Sequence, residues 1–457
     1  MSVVINKELG LNRGKKRIWL EGQKLVREGF EPGLRYDVSV CERSKTVCLI
    51  ACEVGRRKVS SRDRNGKVSP IIDIESLVLD KVFTEGTMLR IVISKEKITI
   101  KVHSQYQKIE RRESRYISKM KSGEALSGCS LFHGGGVLDK AVHAGLKLAS
   151  IDSYIQVAVE LEDKYLESSL SNNPELFRED TIAVCSGIEL LDCSPNVNQE
   201  VDFLVAGIPC SGASRSGRSK NKLKHAESHE KAGSMFYYFL QFVERLNPAW
   251  VLIENVSEYA SSASMEVIRS VLKTLGYTLH ETNLNGNEFG ALENRDRMAA
   301  IAVSKNMSLD LDGLVPLDDK PDNIQAVLER IDDASERWKS FDYLAEKEKR
   351  DKSLGKGFAR QLLTGAESFC GTIGKGYAKC RSTEPFLLHP SKDGLSRLFT
   401  PFEHCSLKGI PREVIDGLSE TVAHEVLGQS VIFPAFKSLA KHIGWRLKES
   451  SQAFVYA

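Results

Sequence analysis

The sequence predicts an α/β chain: a doubly wound, Rossmann-like domain, preceded by a β-rich domain and interrupted late by a loop-rich region. Three observations carry this. Between Leu126 and Val303, apolar runs that end in glycine-rich or polar chemistry alternate with helically spaced segments. Before them, the first hundred positions are crowded with Val- and Ile-rich runs punctuated by turn residues. After them the alternation fails near residue 305, and a helical pattern resumes near Glu420. At 457 residues the chain should form two or three compact units.

Residues 1–121 read as a basic β-rich domain and linker. Arg35–Cys41, Thr46–Cys52, Ile71–Ile74 and the long run Met88–His103 have strand character, and Asn65-Gly66 marks an exposed turn between Arg62 and Lys67. The charged run after Gln105 reads as a linker or a solvated helix. Residues 122–304 form the doubly wound core. Strands are expected within 127–132, 154–160, 201–207 and 248–256, and Phe236, Phe239, Val243 and Leu246 space a helix over Glu230–Leu246. Such alternation implies a parallel sheet, with ligands bound outside the carboxyl ends of its strands. Residues 305–392 are charged and glycine-punctuated. Residues 393–457 return to a turn-rich segment and then a helical pattern over Glu420–Trp445, interrupted at Gly428.

Bulk composition narrows the classes. With 41% hydrophobic and 27% charged residues, the chain can bury a sizeable core. No run of eighteen apolar residues occurs and the N-terminus is polar and basic, so neither a membrane span nor a secretory signal is expected, and a cytoplasmic location is. The ten cysteines form no CxxC pair or Cys/His cluster, so no metal site is expected and most thiols read as small buried hydrophobes. The net charge of +3 is uneven: residues 1–121 hold 27 Lys and Arg against 15 Asp and Glu, a balance of +12, which leaves −9 for the remainder. A polyanion such as nucleic acid, or simply a solvated basic surface, accounts equally for that asymmetry.

Four constellations carry chemistry. Phe132-His133-Gly134-Gly135-Gly136 follows a strand and precedes a helical stretch, so it is either a tight turn or a place where backbone approaches a ligand. Glu160 ends the next strand, where a carboxylate can accept hydrogen bonds from ribose hydroxyls. Cys210 lies just past a strand, after Pro209 and inside a Gly/Ser loop, the stiff but exposed setting a nucleophilic thiolate needs. Glu254 ends a buried strand, where desolvation favours a protonated acid able to donate a hydrogen bond to a ring nitrogen; Arg295 and Arg297 follow at the spacing of one face of an extended strand.

From Leu126 onward, about seven tenths of the chain, the order of these motifs resembles the cytosine-5 DNA methyltransferase family. SLFHGGG resembles its cofactor glycine motif, VELED its acidic motif, AGIPCSGAS its Pro-Cys loop and IENV its Glu-Asn-Val motif. NEFGALENRDR is similar to the motif ending in paired arginines, RLFTPFEHCSLKGIP to the segment after the target-recognition region, and LGQSV to the last cofactor motif.

The resemblance implies S-adenosyl-L-methionine as cofactor. Its contacts would come from Phe132, His133, Gly134, Gly135, Gly136, Glu160, Leu161, Gly207, Pro209, Gln429, Ser430 and Val431. It implies that a cytosine flipped out of double-stranded DNA meets Cys210 at carbon 6, Glu254 at ring nitrogen 3, and Arg295 with Arg297 as partners of the developing charge. Ser211, Ser214 and Asn255 would contact substrate. Residues 305–392 would be the target-recognition region, with Lys356, Phe358, Lys375 and Tyr377 offered to the groove. A cognate restriction endonuclease is the partner the family suggests. A transfer-RNA branch shares the same motifs, and a DNA-binding regulator without catalysis would have eroded Cys210, Glu254 or Arg295.

Several positions depart from the family pattern. Ser130 stands where Asp is usual and His133 where a small residue is. Ile208 and Ser211 replace Pro and Gln beside Pro-Cys, Glu293 replaces a Gln, and Gln429 an Asn; no acidic match for the adenine-contacting motif occurs near Val184–Ile188.

Overall fold

The structure, a computed structural model, describes residues 1–75, 77–191, 199–209, 233–355 and 359–453. The chain divides into two compact units, Met1–Arg111 and Arg112–Ala457.

The first unit is built from two antiparallel sheets. One runs in the order Val3–Glu8, Met88–Ser94, Lys97–Val102, Thr46–Ala51, Arg35–Cys41, Arg57–Lys58; the other in the order Gly10–Asn12, Lys15–Glu21, Lys67–Glu75, Ser60–Arg64. Period-two alternation turns Leu89, Ile91, Ile93, Ile98, Ile100, Val47 and Leu49 inward, where they pack with Ile18, Leu20, Ile72 and Ile74 of the second sheet. Asn65 and Gly66 both adopt positive φ, 57° and 77°, and close the two-residue hairpin that the Asn-Gly pair signals. The run of strand character over Met88–His103 folds as a hairpin, because Glu96 takes φ 56° and reverses the chain.

The charged run is a helix, as one of the two readings had it, but it is partly buried rather than wholly solvated. It forms α1 (Ser104–Ser122), and the division between the units falls inside it. From Arg112 on, its cations reach buried acceptors. Arg112 Nε donates to Ser304 Oγ at 2.8 Å, Nη2 donates to the Gly276 carbonyl at 2.6 Å, and the guanidinium lies 3.7 Å from the Tyr277 ring centroid. Arg115 pairs with Glu200 at 2.7 Å and Asp202 at 3.0 Å.

The second unit holds a seven-stranded sheet: β1 (Leu126–Leu131), β2 (Ser153–Glu160), β3 (Ile182–Cys185), β4 (Phe203–Gly207), β5 (Trp250–Asn255), β6 (Tyr277–Asn285) and β7 (Asp296–Ser304), in the order β3-β2-β1-β4-β5-β7-β6. The first five are parallel. β7 runs antiparallel to both β5 and β6, so the sheet is not wholly parallel as expected. A short connection between β6 and β7 permits only a hairpin, and the hairpin inserts β7 against β5.

Alternate residues face opposite sides. Phe203, Val205, Trp250, Leu252, Ile301 and Val303 pack under α2 (Val137–Leu148) and the final helix; Leu204, Ala206, Val251, Ile253, Ala300 and Ala302 pack under α4 (Met235–Leu246) and α5 (Ala263–Thr274). α3 (Asp163–Asn172) follows β2. The strand order reverses between β1 and β4, so a crevice opens at their carboxyl ends.

Residues 305–392, with the segment just after them, contain more than loops. Lys339–Ser340, Leu395–Arg397, Pro385–Leu388 and Gln361–Leu363 form a small sheet, accompanied by α6 (Asp342–Ser353). Its core joins Ile324, Leu363, Ile373, Tyr377, Leu387 and Phe399. Arg397 grips Glu403 through two bonds of 2.6 and 2.7 Å, and Thr400 with Glu403 forms a capping box on α7 (Pro401–Leu407). The following helical pattern breaks at Ser430–Ile432, between α8 (Glu420–Gln429) and α9 (Phe433–Ala453), rather than at Gly428. Gly428 serves another purpose: a Cβ there would lie 2.3 Å from the carbonyl carbon of Gly374.

Candidate functional site

The ends of three neighbouring strands meet at the crevice. Leu131 pairs with Ala206 and Gly207 with Glu254, so Phe132, Gly207 and Glu254 lie side by side just past the sheet. A Cβ on Gly207 would come within 3.5 Å of Glu254 Oε2 and 3.9 Å of the Phe132 carbonyl oxygen, so glycine leaves the carboxylate room. Burial pushes the Glu254 carboxyl above its ordinary pKa, and the nearby guanidiniums of Arg297 and then Arg295 act against that shift. Arg297 Nε stands 2.9 Å from Glu254 Oε1.

Arg295 is engaged elsewhere. It is buried, with Nη1 3.4 Å from both Glu293 Oε1 and the Ile373 carbonyl, and Nη2 donating to the Gly428 carbonyl at 3.2 Å. Behind it, Glu293 Oε1 accepts from the Ile373 amide at 3.2 Å and Oε2 lies 3.2 Å from Lys408 Nζ. Burial, reinforced by the Arg295 charge, brings the Lys408 ammonium down to about 7. The arginine that meets Glu254 is thus the second of the pair, and the first ties the 371–377 loop to α8.

Asn255 does not face open space. Its Nδ2 donates to the Ile208 carbonyl at 3.0 Å and its Oδ1 accepts from the Val256 amide at 2.8 Å, both within a buried setting. This corrects the expected substrate contact, since the amide is engaged in holding the backbone immediately before Pro209. Cys210, Ser211, Ser214, Lys356 and Phe358 lie outside the described residues.

The glycine turn forms the other wall. Phe132 and Gly134 take φ 60° and 58°, and the Gly134 amide donates to Glu160 Oε2 at 2.7 Å while the Glu162 amide donates to Oε1 at 3.0 Å. Gly136 caps α2 with φ 75°, and a Cβ there would meet Ser169 Oγ at 2.2 Å. Leu161, 64% exposed, presents an apolar surface next to Glu160. The Gln429 amide nitrogen lies 3.6 Å from where a Gly134 Cβ would be, and Ser430 Oγ donates to the Leu427 carbonyl at 2.7 Å.

Three expected contacts are corrected by burial. His133 turns into the protein: its Nδ1 is 2.8 Å from Ser130 Oγ and 3.0 Å from Asp139, and its Nε2 is 2.7 Å from Ser169 Oγ. Its ring buttresses the turn from behind, so any contact with a bound molecule falls to its backbone. Val431 packs in the apolar core, 3% exposed. Tyr377 is fully buried; its hydroxyl donates to the Pro385 carbonyl at 2.7 Å and accepts from the Phe399 amide at 3.0 Å, so it cannot reach a groove. Lys375, by contrast, is exposed, with Nζ 4.6 Å from the Tyr165 ring centroid. Sequence reasoning missed Lys408 and Asp139. The one available signal was a lysine and an aspartate inside otherwise apolar helical turns.

A sheet in this order, with a glycine turn after β1 and an acid ending β2, defines the class of Rossmann-like methyltransferases. Residues 127–445 match the family C-5 cytosine-specific DNA methylase, and the chain belongs to it. It is similar to the Type II methyltransferase M1.ScrFI of Lactococcus lactis subsp. cremoris, 26% identical over 55% of this chain and 64% of the relative. It is also similar to the Type II methyltransferase M.SsoII of Shigella sonnei, 26% identical over 53% of this chain and 63% of the relative. These matches span just under two thirds of each relative's length. Among solved structures, the S. pombe Dnmt2 methyltransferase has the same fold: TM-score 0.54, 20% identity, covering 71% of this chain and 99% of that one.

Proposed function

We propose that the protein transfers a methyl group from S-adenosyl-L-methionine to carbon 5 of a cytosine flipped out of double-stranded DNA, through a covalent adduct on Cys210. The observation that carries this is the partly buried Glu254–Arg297 pair, set beside Gly207 at the strand end that leads into Pro209-Cys210.

The crevice fits the cofactor. Glu160 keeps acceptor capacity beyond its two backbone bonds for ribose hydroxyls, the turn at Gly134 exposes backbone, and Leu161 offers an apolar face; Phe132, Gln429 and Ser430 complete the residues that would hold it. When bound, S-adenosyl-L-methionine supplies an electrophilic methyl group for carbon 5.

The protein's own part is to make carbon 5 nucleophilic. The Cys210 thiolate adds to carbon 6, and a protonated Glu254 donates to ring nitrogen 3 as charge builds there, which is why its desolvated site matters. Arg297 holds the Glu254 carboxyl in place and would offset charge on a base bound to that acid. Asn255 fixes the backbone entering the Pro209-Cys210 loop. Loss of the proton from carbon 5 then expels the thiolate.

Residues 305–392 carry target recognition in this reading, with Lys375 at its exposed edge, and a restriction endonuclease is the expected companion activity. Duplex DNA is favoured over transfer RNA because the curated relatives carry the name Type II methyltransferase. The test is transfer of labelled methyl to duplex DNA and to transfer RNA, with Cys210→Ala alongside. Label in neither substrate, or undiminished label from the Cys210→Ala protein, overturns the reading.

A further inference from the structure

We propose that the outer face of the six-stranded sheet in the first unit, centred on Arg90, Lys97 and Lys101, is a second DNA-docking surface, one that holds duplex phosphates outside the recognition sequence. This rests on the reading of the chain as a DNA methyltransferase but concerns a unit that lies outside the family match at 127–445.

The sheet has two opposite faces. Its inner face, Ile91, Ile93, Ile98 and Ile100 among others, is fully buried core. Its outer face carries no large apolar cluster. Register places Arg90 opposite Lys101 and Lys101 opposite Thr46, which in turn faces Cys41; the next row runs Val92, Thr99, Cys48, Ser39. Here the surface dips into a recess of about 440 Å³, lined by Ser39, Cys41, Cys48, Lys97, Thr99 and Lys101. Hydroxyl donors and ammonium groups lining one hollow suit phosphate oxygens.

Two features argue against an idle surface. Like charges directly opposite on a sheet are destabilising, yet Arg90 faces Lys101. None of Arg90, Lys97 and Lys101 is paired with a carboxylate among the described residues, although the neighbouring Lys45 pairs with Glu110 and Arg17 with Asp73. Unrelieved positive charge, retained at a cost to folding, points to an anionic partner. The spacing agrees with duplex DNA. Lys97 and Lys101 are four residues apart on one strand, so their bases stand about 13 Å apart, close to the roughly 12 Å width of a major groove bordered by phosphates. The whole unit is basic, with 23 Lys and Arg against 14 Asp and Glu over residues 1–111.

The experiment uses the full chain and a fluorescent duplex of about 40 base pairs of arbitrary sequence, with binding followed by anisotropy across a salt series. Arg90→Gln, Lys97→Gln and Lys101→Gln are combined in one variant; Arg13→Gln, Arg27→Gln and Lys81→Gln, exposed cations elsewhere on the unit, form the control variant. If all three residues neutralise phosphates, the slope of log K against log salt falls in magnitude by about 2.7 in the first variant, and low-salt affinity drops at least tenfold. An unchanged slope, or an equal loss in the control variant, overturns the proposal. So does a structured RNA that competes as well as duplex and loses the same slope. At saturating DNA the first variant should retain its methylation rate. Failure of the Cys210-dependent methylation assay would instead strike the catalytic reading and leave this binding result standing.

Discussion

Glu293 and Lys408 form an ion pair in which neither side chain reaches solvent, Oε2 to Nζ at 3.2 Å. Glu293 is one of the positions where the sequence departs from its family, and the pair explains why the departure is tolerated. An acid buried among the loop at 371–377 and α8 would be costly alone, and a buried lysine from the end of α7 joins Arg295 in supplying its counter-charge.

Removing one member should therefore be worse than removing both. Lys408→Met leaves Glu293 with Arg295 as its remaining counter-charge but its Oε2 without a partner, and is expected to destabilise the protein by about 1–3 kcal/mol. The double variant Lys408→Gln with Glu293→Gln should recover most of that. Urea denaturation of both variants checks this, and a double variant no more stable than the single one removes the coupling.

Glu254→Gln should keep the fold and lower the methylation rate by about 10²–10⁴, the usual worth of a positioned acid. Arg297→Gln removes the cation that offsets the burial of Glu254, so the Glu254 pKa rises further. With the protonated acid as the working form, as proposed, the alkaline limb of kcat/KM should move to higher pH. A limb that stays in place assigns it to another group.

Asn255→Ala frees the Ile208 carbonyl and with it the backbone that leads into Pro209-Cys210, the proposed nucleophile. Misplacement of a reacting group by about 1 Å can cost roughly 100-fold in rate. The expected result is a fall of that order in kcat with cofactor affinity within twofold, measured by single turnover and by calorimetry. Equal losses in both would mean general disruption.

Acid should weaken the protein through its buried histidines. Burial lowers His143 and His424 to about 4, and it lowers His404, which contacts His424 at 3.0 Å, well below its ordinary value. Below an unfolded pKa of about 6.5 the unfolded chain binds protons that the native one refuses. Stability therefore falls as pH drops from about 6.5 to 4, by up to about 3 kcal/mol for each of His143 and His424. Urea midpoints at pH 7.5 and 5 measure the fall, and His424→Gln should flatten it. An equal fall in that variant would mean that His424 does not drive it.

β1, β2, β4 and β5 were legible in the sequence to within two or three residues, because fully buried strands are continuous apolar runs. β6 and β7 were not: Tyr277–Asn285 is largely polar, and the Ala-rich Asp296–Ser304 has little of the β-branched signal. The glycine turn, Glu160 and Glu254 stood where expected, since strand ends announce themselves. The partners of Arg295 and Arg297 could not be read, because a one-dimensional spacing does not say which guanidinium meets which strand. Ser130 and His133, two departures from the family, become intelligible only through Asp139, which accepts from Ser130 Oγ at 2.7 Å. Lys408 was hidden because a lysine in a helix ordinarily reads as solvent.

The second unit begins inside a helix, and that imposes a limit on recombination. Arg115 and Lys119 on α1 are the cations that meet Asp202, whose carboxylate is wholly enclosed and also accepts from the Ser127 amide. A truncated enzyme begun at Gly123, where the charged run ends by composition, would strand that carboxylate without a counter-ion. A boundary that respects the molecule falls within α1, after Arg111, because Glu110 pairs with Lys45 and Tyr106 packs on the core of the first unit. α1 from Arg112 onward then travels with the second unit, as the counter-charge of its enclosed acid.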